Sequence, residues 1–525
     1  MHPPAKPSTW MFQWNDCILL ALAIAWSHCG GVRADESSAD RRLIRTAFDL
    51  SQDAGQSLGS LFEVRGADGR VLAGAGFLNS YNTQDRSDRR MLHVYARTTR
   101  PTPFHLAPLP RPTSEAGTYL YGYRGGLFSF SRSSLDRVLR RWNSEQQMWS
   151  IEQSTPALAI EVQGRPMNAN GNQILYDKKC VLECPEDQGT LGEWYYNAGV
   201  LIVRSFKTDA TTTPGALVAF RWNPGDSQLH WKEGKSIPLT HPTEFIYSYG
   251  QLGRGANHQI FAASNRGAVL LFRNGSWESV RESDGRSFQV YCALNYRDRL
   301  LVGQYPTGQL LELSDGKLEL LPDSPPVMPG VSRNAREAQS ITIFGGDMIV
   351  GVWPWGEVWR RNENGGDWEF LQRVFTHPAP TDQTTHPYEK ETMALDPVLN
   401  RWGQRVTSLV PMGDSLYIST SAKGHNPFEE KFEFLSDGKH LEYGMVYRYQ
   451  RSGCLSLPIS WTNQRTRVEI QFSKNRIRVL QDGQEMGSST WEMSDPAVLE
   501  DWSLTAGQGV YGPFDGQSLD VQLLP

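Results

Sequence analysis

Two acidic, histidine-bearing stretches hold the residue types best suited to chemistry. One runs from Phe375 to Gln404 and carries His377, Asp382, His386, Tyr388, Glu389 and Glu391. The other runs from Ser421 to Tyr443 and carries His425, Glu429 and Glu430. Glu389 or Glu391 set against Glu429 or Glu430 would supply a general acid and a nucleophile for a glycosidic bond. That chemistry needs two carboxyls roughly 5–10 Å apart in unlike surroundings. His377, Asp382, His386 and His425 are also metal-ligand types. Their spacing matches no zinc pattern, and the chain has no Asp-rich calcium loop, so no metal is expected. The commonest role of such charge-rich loops is a solvated surface. Aromatic loops offer a second chemistry. Trp353-Pro354-Trp355, with Tyr81 and Tyr305, would present flat faces to sugar rings or to a protein partner. Phosphate-loop, nucleophile-elbow and H-E-x-x-H patterns are all missing, and no cofactor is expected.

These loops need a scaffold, and a repeat supplies one. QSITIF (339–344), MIVGVW (348–353), EVWRR (357–361) and WEFLQRV (368–374) are four β-rich runs separated by Gly, Asn and Asp turns. Similar runs occupy 244–280, 289–321 and 406–450. A glycine before the third strand marks the register at Gly126, Gly171, Gly215, Gly267, Gly308, Gly356 and Gly444. A period near 45 residues built of four strands is the sequence mark of a propeller blade. The expected fold is all-β: a β-propeller of about seven (six to eight) four-stranded blades over 60–450. A poorer unit at 61–97 is a candidate blade. Residues 35–59 read as a leader, with a short helix over Arg41–Leu50. In a four-stranded meander the 1–2 and 3–4 turns share one face, and the 2–3 and 4–1 connections share the other. The first set is short here and the second long. The inserted loops therefore share a face, which is the expected working face.

Composition sets the class. The chain has 525 residues, 39% hydrophobic and 21% charged, which is a folded chain with a large core. A net charge of -5 argues against general nucleic-acid binding. Cys17 to Trp26 is an apolar run too short to span a bilayer, and Val32-Arg33-Ala34 follows as a cleavage site. Residues 1–34 therefore read as a signal peptide, and a secreted or periplasmic location is expected. No later run is long enough for a membrane span. Beyond the leader, Cys180, Cys184, Cys292 and Cys454 remain. Cys180 and Cys184 are close enough in sequence to pair, and Cys292 and Cys454 would pair or stay buried.

The middle of the chain resembles β-propellers of the kelch, WD40 and sialidase-like kind, by period rather than by signature. Asn364-Gly365-Gly366-Asp367-Trp368 is similar to a sialidase Asp-box but is shorter and lacks the leading Ser, so no sialidase catalytic residue is carried over. In residues 451–525, the RVEIQF and RIRVLQ hairpin and the later P-F-D-G resemble part of a laminin-G or concanavalin-like jelly roll. The alternative for that segment is a small β-extension capping the propeller. The function expected is a binding or scaffolding module for carbohydrate or a cell-surface protein, acting as a monomer. The alternative is a glycoside hydrolase or polysaccharide lyase using the paired carboxylates.

Overall fold

The computed structural model describes residues 41–49, 52–82, 85–97, 103–131, 138–152, 160–207, 213–283, 288–364, 366–395, 401–423, 427–461, 466–473, 475–491 and 502–524. The expected signal peptide and His425 lie outside the described residues.

Seven antiparallel sheets follow one another from Tyr119 to Gln450, and each is a blade. Blade 1 spans 119–152, blade 2 160–183, blade 3 190–238, blade 4 246–281, blade 5 289–320, blade 6 337–373 and blade 7 405–450. Blade 7 takes its outermost strand, Ala107–Leu109, from the segment ahead of blade 1, with Val446 paired to Leu109. The first and last blades are thus stitched together, and Leu120 N donates to Ser408 Oγ at 2.9 Å between their inner strands. Other inner strands are tied in the same way. Ser248 Oγ donates to Val290 O at 3.1 Å, and Ser340 Oγ to Val406 O at 2.8 Å. Closing the ring leaves no open sheet edge at its seam.

The glycine register holds in six of the seven blades. Gly356 (φ 62°) and Gly444 (φ 77°) turn the chain into third strands in a conformation that a β-carbon would strain. In blade 1 the match slips by one strand, because Gly126 opens the second strand.

The first and last described segments fold together. Arg41–Asp49 lies between Thr466–Ser473 and Ser518–Leu524 in a five-stranded sheet. Ser60–Arg65, Val71–Phe77 and Met91–Ala96 join Cys454–Pro458 and Ser503–Ala506 in a second. The two sheets share one core, in which Phe48, Phe77, Val94, Ile470, Phe472 and Trp491 are buried. Two sequence expectations change here. The segment 61–97 supplies three of the five strands of one sandwich sheet rather than a blade, and the leader segment Arg41–Asp49 is a strand rather than a helix. Residues 451–525 likewise do not stand alone, since their apolar face is covered by residues from the other end of the chain. The four cysteines beyond the leader are free thiols, with Cys184, Cys292 and Cys454 buried.

The sandwich lies against the short-turn face of the ring. Gly413 N donates to Ser456 O at 2.8 Å, Val71 N to Asn364 Oδ1 at 2.7 Å, and Gly199 N to Ala54 O at 2.9 Å. At this junction Asp347 of blade 6 is gripped by Arg97 (2.8 Å) and Arg451 (2.7 Å) from the two crossover segments. The long loops are left on the opposite face.

Candidate functional site

The loop face holds less exposed chemistry than its sequence suggests. Trp353 and Trp355 are 1% and 2% exposed, so neither presents a ring to solvent. Trp353 fits against Gly403, where a β-carbon would lie 2.1 Å from its ring nitrogen. Trp355 lies between His386 (4.4 Å between rings) and the Arg373 guanidinium (5.0 Å). His386 is itself buried, and burial followed by Arg373 pushes its pKa down to about 3. Tyr388 packs on His386 and Phe434, and burial pushes its hydroxyl up to about 12. These residues anchor the short helix Pro387–Leu395 to the ring. Tyr305 is half-buried with its ring 6.2 Å from Trp353.

Three of the four acidic candidates are exposed. Glu391 and Glu430 are exposed, and Glu389 is half-buried at the start of its helix. Glu429 is exposed and bonded to Lys431 and Arg401, which together hold its carboxyl below the usual range. That is the opposite of what a general acid needs. His377 and Asp382 are also exposed. Among the described residues, no group of three His, Cys, Asp or Glu side chains could hold a metal ion.

One cavity lies in the central channel. A hairpin from the sandwich, Ser80–Asn82 and Asp85–Arg86, enters the ring and adds itself to the inner strand of blade 5, with Ala293 paired to Tyr81. Asn82 Oδ1 accepts from Ile341 N of blade 6 at 2.8 Å. The hairpin is held at its base by Asp53, which takes Arg89 and Arg90 at 2.6 Å each and Gln163 N at 2.6 Å. Burial works against that carboxylate, yet the two arginines outweigh it and keep it ionised. Tyr81 is therefore a channel residue and not a loop residue. Its ring sits edge-on to Tyr195 (6.0 Å) and Tyr249 (5.6 Å).

The hairpin fills the side of the channel next to blades 5 and 6 and leaves a cavity of about 410 Å³ toward blades 1 to 3. Small-molecule sites commonly fall in this size range. Tyr121 and Tyr123 line it from the inner strand of blade 1, and Tyr195 and Phe206 from blade 3. Tyr121 stacks on Phe128 at 5.4 Å, and its hydroxyl is buried without a hydrogen-bond partner among the described residues. Burial raises its pKa, so the group stays a neutral donor and acceptor. The Arg204 guanidinium lies 4.2 Å from the Phe206 ring and bonds Glu193 at 2.5 Å. Glu161 takes Arg124 at 2.5 Å and Arg90 at 3.5 Å. Asp88 lines the same wall, and burial raises its pKa.

The sequence reading missed Arg86, Tyr121, Tyr123, Tyr195 and Arg204. A signal was present in the alternation Tyr119-Leu120-Tyr121-Gly122-Tyr123, which sends tyrosines to one side of an inner strand.

No family model matches the chain, and no curated protein matches it. Among solved structures, the β-propeller domain of Cps50 (Swd1) from Myceliophteria thermophila is similar at 10% identity, over 67% of this chain and 100% of that one, with a TM-score of 0.34. The computationally designed Ika8 protein matches at 10% identity, over 77% of this chain and 100% of that one, with a TM-score of 0.34. Trypanosoma rangeli sialidase in complex with the inhibitor DANA matches at 10% identity, over 91% and 95%, with a TM-score of 0.21. At these values the fold rests on the strand order and ring closure described above.

Proposed function

We propose that this is an exported β-propeller that binds a saccharide in its central channel, with the sandwich hairpin forming part of the wall. One observation carries the reading. A cavity of about 410 Å³ combines tyrosine and phenylalanine rings with arginines and carboxylates, and the buried Tyr121 hydroxyl has no hydrogen-bond partner among the described residues. Sugar rings have apolar faces that suit aromatic rings and hydroxyls that suit charged and hydroxyl groups at their edge. An unpaired buried hydroxyl costs stability unless a ligand or water satisfies it. The signal-peptide pattern at 1–34 supports export.

A glycan array probed with the chain from residue 35 tests this. Binding is expected, and Tyr121→Ala is expected to weaken it about 10-fold or more by removing both ring and hydroxyl. Trp353→Phe, placed on the loop face, is expected to leave binding within about 2-fold, since its contacts are internal. Absence of binding to every glycan would overturn the proposal.

A further inference from the structure

Among the described residues, five arginines line the cavity, and four of them have carboxylate partners. Arg89 bonds Asp53, Arg90 bonds Asp53 and Glu161, Arg124 bonds Glu161, and Arg204 bonds Glu193. Arg86 differs. It donates from Nη1 to Tyr196 O at 2.8 Å and from Nη2 to Gly55 O at 3.1 Å, and both acceptors are neutral carbonyls. Its guanidinium lies 5.0 Å from the centre of the Tyr195 ring, and its Nε is buried without an acceptor among the described residues. No carboxylate among the described residues comes within ion-pair distance of it. A guanidinium has five donors and stays charged in proteins, so Arg86 brings to the wall a positive charge without an ion-pair partner among the described residues, and spare N–H groups. Burying a charge without a counter-charge is costly, and a bound anion would offset that cost.

We infer that the channel's ligand is an acidic saccharide, whose carboxylate or sulfate oxygens bond Arg86 while its ring lies among Tyr121, Tyr123 and Tyr195. The inference rests on the saccharide reading above and adds the ligand's charge. Two carbonyl contacts already fix the guanidinium's plane, so little side-chain freedom is lost when the anion binds. Of the neighbouring carboxylates, Asp53, Glu161 and Glu193 are engaged with other arginines, which lowers their repulsion of an incoming anion, and Asp88 accepts from Arg90 N at 3.0 Å.

Calorimetric titration of the full chain with D-glucuronate, its methyl ester, D-glucose and glucose 6-sulfate separates the cases. The acids are expected to bind about 10- to 100-fold more tightly than the ester and the neutral sugar, as charge-assisted hydrogen bonds allow. The glucuronate and 6-sulfate arms distinguish a carboxylate from a sulfate ester. Arg86→Gln is expected to abolish the preference of acid over ester, and Arg86→Lys to keep part of it. The comparison of acid with ester uses the unmodified protein, so it stands even if Arg86→Gln misfolds. Equal binding of acid, ester and glucose, or a preference that survives in folded Arg86→Gln, would overturn the inference and leave the saccharide reading intact. No binding of any of the four sugars would overturn both.

Discussion

Asp347→Ala is expected to destabilise the folded chain by about 3–5 kcal/mol, the usual result of removing one partner of a buried ion pair. Asp347 is 1% exposed and holds two guanidiniums, Arg97 on one carboxylate oxygen and Arg451 on the other. Both arginine side chains are nearly buried, at 8% and 10% exposure. Removing the carboxylate leaves two cations facing each other with no counter-charge. Arg97 and Arg451 leave and re-enter the sandwich where the chain crosses to and from the ring, so the loss falls on that junction. Urea unfolding checks the magnitude, and a change below about 1 kcal/mol would show that the cluster contributes little. The pH dependence has a definite sign. Burial raises the Asp347 pKa, but Arg451 and Arg97 outweigh burial and hold it below the ordinary carboxylate value. A depressed carboxyl contributes its full stability above the unfolded pKa, ~3.9, and loses it as pH falls through the lower folded value. The gap between the native chain and Asp347→Asn should therefore be constant from pH 7 to pH 5 and shrink only in more acidic solution.

Phe472→Ala is expected to cost a similar amount, about 3–5 kcal/mol, by a different mechanism. Phe472 is fully buried in the sandwich core, with its ring edge-on to Trp491 (6.1 Å) and Trp502 (5.5 Å). Its strand pairs with Arg41–Asp49, at the far end of the chain. Truncation opens a cavity between two sheets that the rest of the core cannot readily fill. Tryptophan fluorescence reads the loss, because Trp461, Trp491 and Trp502 all lie in this core. Phe370→Ala, on an outer strand of blade 6 and 38% exposed, should change stability by less than about 1 kcal/mol. Equal effects of the two substitutions would contradict the sandwich core.

The ring was legible because its signal is local. Blade 6 pairs strands only a few residues apart, and each turn carries its own Gly, Asn or Asp. The runs from 339 to 374 match the observed strands to within about two residues. The sandwich was not legible because its pairing is remote. Arg45 bonds Glu469 across 424 residues, and nothing in VLAGAGF or MLHVYAR distinguishes a blade from a sandwich sheet. Trp353 and Trp355 look like loop rings in sequence, yet both are buried. Which side faces the core depends on Gly403 and His386, which belong to the following connection. Arg86 looks like a surface charge in sequence, and only the insertion of its hairpin into the ring makes it a channel residue.

The most direct test of a ligand in the channel is hydrogen exchange on the chain from residue 35, with and without its tightest glycan from the array. The channel account expects protection of 85–90, 119–124 and 191–206, with no change over 377–395 and 427–443. Protection confined to 377–395 and 427–443, with the channel strands unaffected, would contradict it and place the ligand on the long loops.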